Sequence, residues 1–568
     1  MQFLKYSEMC GWDIVVDNEA IPSENYAAKE FQRFFEQATG ILLPIRNTET
    51  YGSNQVYIGT GKALVDGGVM VDVSELGEEG LHIIIKKNSL VIVGGRPRGT
   101  LYGVYQFLED ELGVQFLTYD HTHIPDCSNA KIACREYVYK PPFSFRWSYY
   151  AENSKRPEFA ARLRVNTVTD DPKLGGKTGQ NLISHSFHKL VPFGKYGKDH
   201  PEYYALVDGK RDTDTRWAGP QLCVTNPDVI KVTAENAISF IDQGHFENVS
   251  VSQADTDRYC RCDRCQELNN REGSPMGSQL AFVNAVAELV EKAHPNVKVG
   301  TLSYWYTRKP PKTIKPRKNV QIQLCSIECC TLHPIDDPSY PRNREFCRDV
   351  NEWGKICGDV WFWNYNTNFT AYDLPFPNLR SIGPNVRYFL RNGGKGVFMQ
   401  ANGNGTSGEL SDLRNYLISR LLWNPELDDQ KLIKEFVELH YGFAAQPILE
   451  YIEMLHGNAE ESGVHPNCFP KPEEVGLRPE IARKALGYFN RALKLADNDA
   501  VRARVEKASI CAYRAMIEAG GATAKAELKP LVDRYVELCQ RYELTFAAEH
   551  KEAAAFFEEL KQRVKDAP

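Results

Sequence analysis

No run of about 18 apolar residues occurs in this chain, so no membrane-spanning helix is expected. It has no basic block or stripe, and its net charge is −6. This argues against a nucleic-acid partner, whose phosphates would require clustered Lys and Arg. Internal repeats and low-complexity tails are absent. The N-terminus, MQFLKYSEMCGWDIVVDNEA, has no continuous apolar stretch of signal-peptide type, which points to a cytoplasmic protein. The Gly-Thr-Gly-Lys stretch at Gly59–Lys62 lacks the G-x4-G-K-[ST] spacing of a phosphate-binding loop. Cysteine is not scarce, but the count of 15 is odd, so at least one thiol is unpaired in a monomer. A chain of 568 residues has no need of disulfide staples, and a reducing compartment fits it best.

What is present is ordinary globular composition, 42% apolar and 25% charged, in a chain too long for a single core. Residues 1–138 read as a small α/β domain. Ser23 is placed to cap a helix whose apolar face is Ala27, Phe31, Phe34, Phe35 and Ala38, and Gly40 is placed to end it. The runs LHIIIK and LVIVGG suggest a hairpin turning at Lys87-Asn88-Ser89. A second helical face is Leu101, Val104, Tyr105, Leu108 and Leu112, stopped by Gly113.

Residues 139–425 alternate strand-like and helical patterns. The strand candidates are FSFRWSYY, NLISHSFHKL, QLCVTN, VSVSQAD, VKVGTLSYWY, VQIQLCSIE, DVWFWNY and GVFMQAN. Eight such units at this length predict a TIM (β/α)8 barrel. Residues 426–568 read as a C-terminal helical bundle. The expected fold class is thus α/β: a barrel between a small N-terminal α/β domain and a helical C-terminal domain.

In a TIM barrel, function sits just past the C-terminal ends of the strands. That rule selects Gln253, Asp255 and Asp257 after the fourth candidate strand, and Tyr304, Trp305 and Tyr306 after the fifth. Glu328 and His333 follow the sixth, Trp363, Asn364 and Tyr365 the seventh, and Gln400 and Asn402 the eighth. Arg146, His185 and His188 are available early in the barrel. Carboxylates walled by Trp and Tyr suit glycoside hydrolysis: one carboxyl protonates the leaving oxygen, and a second group stabilises or attacks the oxocarbenium-like centre. An Asp after a strand also commonly serves only as an Asx-turn or helix cap. The His185/His188 pair suits either a ligand or hydrogen bonding at the rim.

The stretch VSVSQADTDRYCRCDRCQ continues into C-x-C-x2-C spacing at Cys260, Cys262 and Cys265. Zinc requires four ligands and this supplies three; Cys223, Cys329, Cys330 or His333 could add the fourth. No second C-x2-C pair is present. The expectation is a compact loop with buried thiols or one disulfide, without a catalytic ion; no cofactor is assigned.

Several segments together resemble glycoside hydrolase family 163, formerly the domain of unknown function 4838. They are HPEYYALVDGKR, VSVSQADTDRYCRCDRCQ, TLSYWYTRKPPK, SIECCTLHPIDD, YNTNF and LISRLLWNP. ENYAAKEFQRFFEQATG and RPRGTLYGVYQFLEDELGV resemble the α/β domain that precedes the barrel in hexosaminidases and α-glucuronidases. The resemblance implies an endo-β-N-acetylglucosaminidase acting on glycans. Its mechanism would be retaining and substrate-assisted, with Asp255 and Glu328 as the carboxylates and no division of roles between them. The sequence departs from the family pattern at Asn364 and Met399, where acids are expected, and either departure would alter specificity if it contacted substrate. Two alternatives stay open. One is an α-glucuronidase-like exo-hydrolase using Arg146 or Arg308 for the uronate; the other is a non-catalytic sugar-binding protein.

Overall fold

The computed structural model describes residues 2–521 and 524–567. The N-terminal segment builds a six-stranded mixed sheet. Its order is Glu136–Tyr139, Leu81–Lys86, Ser89–Gly94, Gln55–Ile58, Asp13–Val16 and Ile45–Asn47. The expected hairpin forms, with Leu81–Lys86 antiparallel to Ser89–Gly94. Helices Pro22–Thr39 and Gly99–Leu112 pack together with this sheet, burying both predicted apolar faces, and Gly40 and Gly113 end them at φ +76° and +66°. Ser23 is not the cap. Pro22 opens the helix, Glu24 accepts the Ile21 N–H, and the Ser23 hydroxyl donates to the Pro97 carbonyl at 2.6 Å.

The central segment forms a curled six-stranded parallel sheet. Its order is Phe145–Tyr149, Gly394–Gln400, Val360–Tyr365, Val320–Cys325, Lys298–Ser303 and Asn248–Ser250. Six of the eight expected strands are therefore present. The other two, NLISHSFHKL and QLCVTN, do not join the ladder. The first runs beside Asn248–Ser252, but side chains take over its pairing: the Asn181 N–H donates to Asn248 Oδ1 at 2.6 Å and the Ser184 N–H to Ser250 Oγ at 3.0 Å. The second forms a Tyr204–Leu222 bridge and bonds Ala254 through the Gln221 side chain, without entering the parallel ladder, before Asn226 caps helix Pro227–Ile241. Asn and Ser offer the backbone local partners that compete with a regular ladder.

Alternation along the strands decides what faces the sheet's concave interior. Phe145, Leu302, Tyr304, Cys325, Trp361, Tyr365 and Phe398 form one aromatic-rich cluster, with Trp147, Tyr149, Trp363 and Ile327 against it. The intervening residues, among them Ile322, Leu324, Phe362, Val397 and Met399, belong to the larger core shared with the helices.

This parity corrects two sequence expectations. Arg146 lies on the side opposite Phe145. It is fully buried, donates to Glu79 at 2.5 Å and to the Phe143 and Arg164 carbonyls, and so ties its strand to the turn that leads into Leu81–Lys86 instead of meeting a ligand. Burial opposes the Glu79 charge, but the guanidiniums of Arg146 and Arg98 outweigh it and hold that carboxyl below its usual range. Met399 is completely buried on the helix-facing side. Met399→Glu should therefore act on stability, not on substrate choice. An unpaired carboxylate there should cost upwards of about 3 kcal/mol, whereas Met399→Leu should cost less than about 1.5 kcal/mol. Thermal denaturation of the two variants checks this.

After the parallel sheet come helices Asp429–Tyr441, Ala445–Ser462, Pro479–Leu495, Asp499–Glu518, Lys525–Arg541 and Ala553–Asp566. The all-helical expectation misses a short antiparallel pair, Phe546–Ala548 with Lys551–Glu552. No described helix is long and apolar enough to cross a membrane.

Candidate active site

At the C-terminal ends of the parallel strands lies a cavity of about 470 Å³, within the range of roughly 300–1,000 Å³ usual for small-molecule sites. The strand ends contribute Leu302, Tyr304, Cys325, Trp363, Tyr365 and Gln400; the loops contribute His185, Trp217, Asp255, Ile327, Phe369 and Phe469. Glu549 and His550 enter from the turn of the C-terminal antiparallel pair. That turn is held over the sheet by specific bonds. The Glu549 N–H donates to the Phe369 carbonyl at 2.9 Å, the Tyr372 N–H to the Ala547 carbonyl at 3.0 Å, and Asn404 Nδ2 to the Glu549 carbonyl at 2.8 Å.

Asp255 is the best-organised carboxylate in the cavity. Tyr304 Oη donates to its Oδ1 at 2.9 Å, and His185 Nε2 stands 3.7 Å from the same oxygen. His185 Nδ1 is 2.6 Å from the Gln253 carbonyl. A carbonyl only accepts, so Nδ1 carries a proton, and Nε2 can donate toward Asp255 only when the ring is doubly protonated. The Asp255 N–H donates to the Trp217 carbonyl at 2.8 Å, which joins its loop to the one presenting Trp217. Trp217 adopts φ +53°, is 58% exposed, and meets the His550 ring edge-on at 5.8 Å. Burial, with the Asp255 charge adding to it, pushes the Tyr304 hydroxyl pKa well up, so it remains a donor.

Glu549 is the second carboxyl group. Burial raises its pKa; nearby His550 opposes the rise and the Asp255 charge adds to it. The cavity thus holds one carboxylate fixed by hydrogen bonding and one carboxyl biased toward its protonated form. Trp363 Nε1 donates to Gln400 Oε1 at 2.7 Å, orienting both residues on the opposite wall. Among the described residues, none lining the cavity is Lys or Arg.

The structure brings together His185, Asp255, Tyr304, Trp363, Tyr365 and Gln400 from the sequence candidates. Glu328 does not line the cavity. Cys325 and Ile327 point in, so Glu328 turns away and pairs with Arg308, which is also fixed by Asp349 at 2.7 Å. Gln253 is buried behind the wall, where it donates to Thr307 Oγ1 at 2.7 Å. Tyr306 stacks on Tyr259 with centroids 4.7 Å apart. Asn364 faces Ser326, its Nδ2 donating at 3.0 Å, and Asn402 bonds the Ser407 carbonyl at 3.0 Å. Asp257 and Trp305 are exposed outside the lining. His188 sits in the short helix Phe187–Leu190, where burial lowers its pKa. His333 lies against Cys330 and His465, away from the cavity. Sequence reasoning missed Trp217, Glu549 and His550. The only signal was a strand-like break, TFAAEHKE, between two helical runs, and a tryptophan in a Gly-Pro turn.

The chain belongs to the family described as Domain of unknown function (DUF4838), whose model matches residues 116–453. Residues 5–107 match the model of the glycosyl hydrolase family 67 N-terminus. Among solved structures, a family GH115 4-O-methyl-α-glucuronidase with specificity for decorated arabinogalactans shares its fold. The TM-score is 0.54 at 11% identity, over 95% of this chain and 77% of that one. A GH138 enzyme targeting pectin rhamnogalacturonan II gives a TM-score of 0.44 at 11% identity, over 97% of this chain and 79% of that one. No curated protein matches.

Proposed function

We propose that this protein is a glycoside hydrolase, with Asp255 and Glu549 as its working carboxyl groups. The observation that carries the reading is their pairing in one aromatic-walled cavity: Asp255 fixed by Tyr304, and Glu549 raised toward the protonated state. Glu549 is the general acid. Asp255 supplies the charge that stabilises the reacting centre. We read the curled sheet as the regular arc of a (β/α)8-type barrel, with segments 1–138 and 426–568 as flanking domains.

The substrate we favour is a β-linked N-acetylglucosamine-containing glycan, hydrolysed with retention and assistance from the substrate's own acetamide, as the family 163 resemblance implies. The lining supports a neutral sugar over a uronate. A carboxylated sugar calls for a cation, yet Arg146 is committed to Glu79 and Arg308 to Glu328 and Asp349. A panel of aryl glycosides tests this. The 2-acetamido sugars should be cleaved at least about a hundredfold faster than 2-hydroxy sugars or uronides, and a thiazoline mimic of the cyclised intermediate should bind more tightly than the parent sugar. Preferred hydrolysis of the uronide would overturn the substrate reading but not the glycosidase reading; cleavage of none would favour a sugar-binding protein.

A further inference from the structure

The cysteine-rich loop holds more than buried thiols. Cys260 and Cys262 follow Asp255, Cys265 lies in the first turn of helix Asp263–Glu272, and Cys223 precedes helix Pro227–Ile241. The Sγ atoms of these four residues all lie within 4.8 Å of one another, and those of Cys223 and Cys262 are 3.8 Å apart. That is far beyond the roughly 2.05 Å of a disulfide bond, and all four are free thiols. It does match a tetrahedron of sulfurs each about 2.3 Å from a central ion, whose edges are about 3.8 Å. Three of the four residues are buried, and Cys262 is partly so.

We infer that Cys223, Cys260, Cys262 and Cys265 form a structural zinc site of four thiolates. Four sulfur donors in a closed tetrahedral set select zinc over oxygen-seeking magnesium or calcium, and they leave no position for substrate. Binding displaces the thiol protons to solvent and leaves the centre with a net charge of −2. Two features ease that charge. The Leu206 N–H donates to Cys260 Sγ at 3.3 Å, and Cys262 is the N-cap residue of helix Asp263–Glu272.

The ion would act as a staple behind the cavity. Two residues before Cys223, Gln221 accepts from the Ala254 N–H at 3.0 Å and donates to the Ala254 and Thr256 carbonyls at 2.9 and 2.6 Å. The segments carrying Trp217 and Asp255 are thus joined by hydrogen bonds near the cavity and by the metal farther out. Zinc here is a positioning element, not a catalytic one. Its presence can be tested whether or not the cavity hydrolyses glycosides.

The test is elemental analysis of the full chain, expressed in zinc-supplemented medium and purified without chelator. About one zinc per chain is expected, released as a mercurial reagent titrates the thiols. Cobalt exchange should give thiolate-to-metal charge-transfer absorption and the intense visible bands of a tetrahedral site. Cys262→Ser should lower zinc affinity at least about tenfold and reduce Tm. Cys262→His should retain the ion, because three cysteines with one histidine are also a common structural set. His333→Ala is the control: its cluster with Cys330 and His465 supplies only three ligands, and zinc content should not change. Wild-type protein without stoichiometric metal, iron in place of zinc, or zinc lost in His333→Ala but kept in Cys262→Ser would each overturn the assignment. The wild-type measurements decide the matter even if Cys262→Ser fails to fold.

Discussion

Glu549→Gln should lower kcat/KM by about 10²–10⁴ on glycosides with a poor leaving group, yet leave those with a strongly acidic phenol within about tenfold of wild type. The asymmetry follows from the role. A sugar or alkyl alkoxide cannot depart without a proton, and a glutamine amide cannot deliver one. A nitrophenolate departs without help, so the lost acid matters little. The pH profile should change in step. Burial raises the Glu549 pKa, so the group stays protonated to higher pH than an ordinary glutamate, and wild-type activity falls as pH rises through that value. In Glu549→Gln the alkaline limb should disappear. An equal loss for all leaving groups would assign Glu549 to binding or packing, and near-normal activity on glycans would move the site elsewhere.

Glu549 also shows why part of this site was not legible in the sequence. The strand-end rule selects residues where a regular strand runs into a loop. It led to Asp255, Tyr304, Trp363, Tyr365 and Gln400, all of which meet in the cavity. The rule does not say which parity of residues faces inward past the last hydrogen-bonded pair. One step of register separates Ile327, which lines the cavity, from Glu328, which ends on Arg308. The same alternation sends Arg146 and Met399 to the outer side of the sheet. Glu549 follows no strand of the parallel sheet; it is delivered from nearly 300 residues beyond Asp255 by a turn bonded to Phe369 and Asn404. Only tertiary packing makes that visible.

The fold was legible to the extent that its periodicity was unbroken. The Ala27–Ala38 and Leu101–Leu112 faces repeat at helical spacing, and both helices form where the spacing places them. Six apolar runs became parallel strands. The NLISHSFHKL run failed because the Asn248 and Ser250 side chains of the adjacent strand take up its N–H groups in place of the backbone pairing that its composition suggests. The C-x-C-x2-C motif posed a related difficulty. Three clustered thiols were readable from spacing, but Cys223 was one of four candidates to join them, and it lies 37 residues before Cys260, so only the folded loop singles it out.

Asp255→Asn should behave differently from Glu549→Gln: a loss of about 10²–10⁴ in kcat that is nearly the same for every leaving group. Among the described residues, both polar contacts to the Asp255 side chain, from Tyr304 and His185, use Oδ1, which leaves Oδ2 for substrate. A carboxylate held in one rotamer stabilises positive charge developing on a folded acetamide or at the anomeric carbon, whatever alcohol departs. An asparagine keeps the shape and loses the charge. Tyr304→Phe removes only the orienting hydrogen bond and should cost less, of the order of tenfold. Successive fluorination of the substrate's N-acetyl methyl group separates assistance from direct attack. If the acetamide oxygen is the nucleophile, each fluorine weakens it, and the wild-type rate should fall steeply along the series, with the product anomer retained by NMR. A flat series with retention would make Asp255 the nucleophile of a covalent two-carboxylate mechanism. An inverted product would make it the base that activates water.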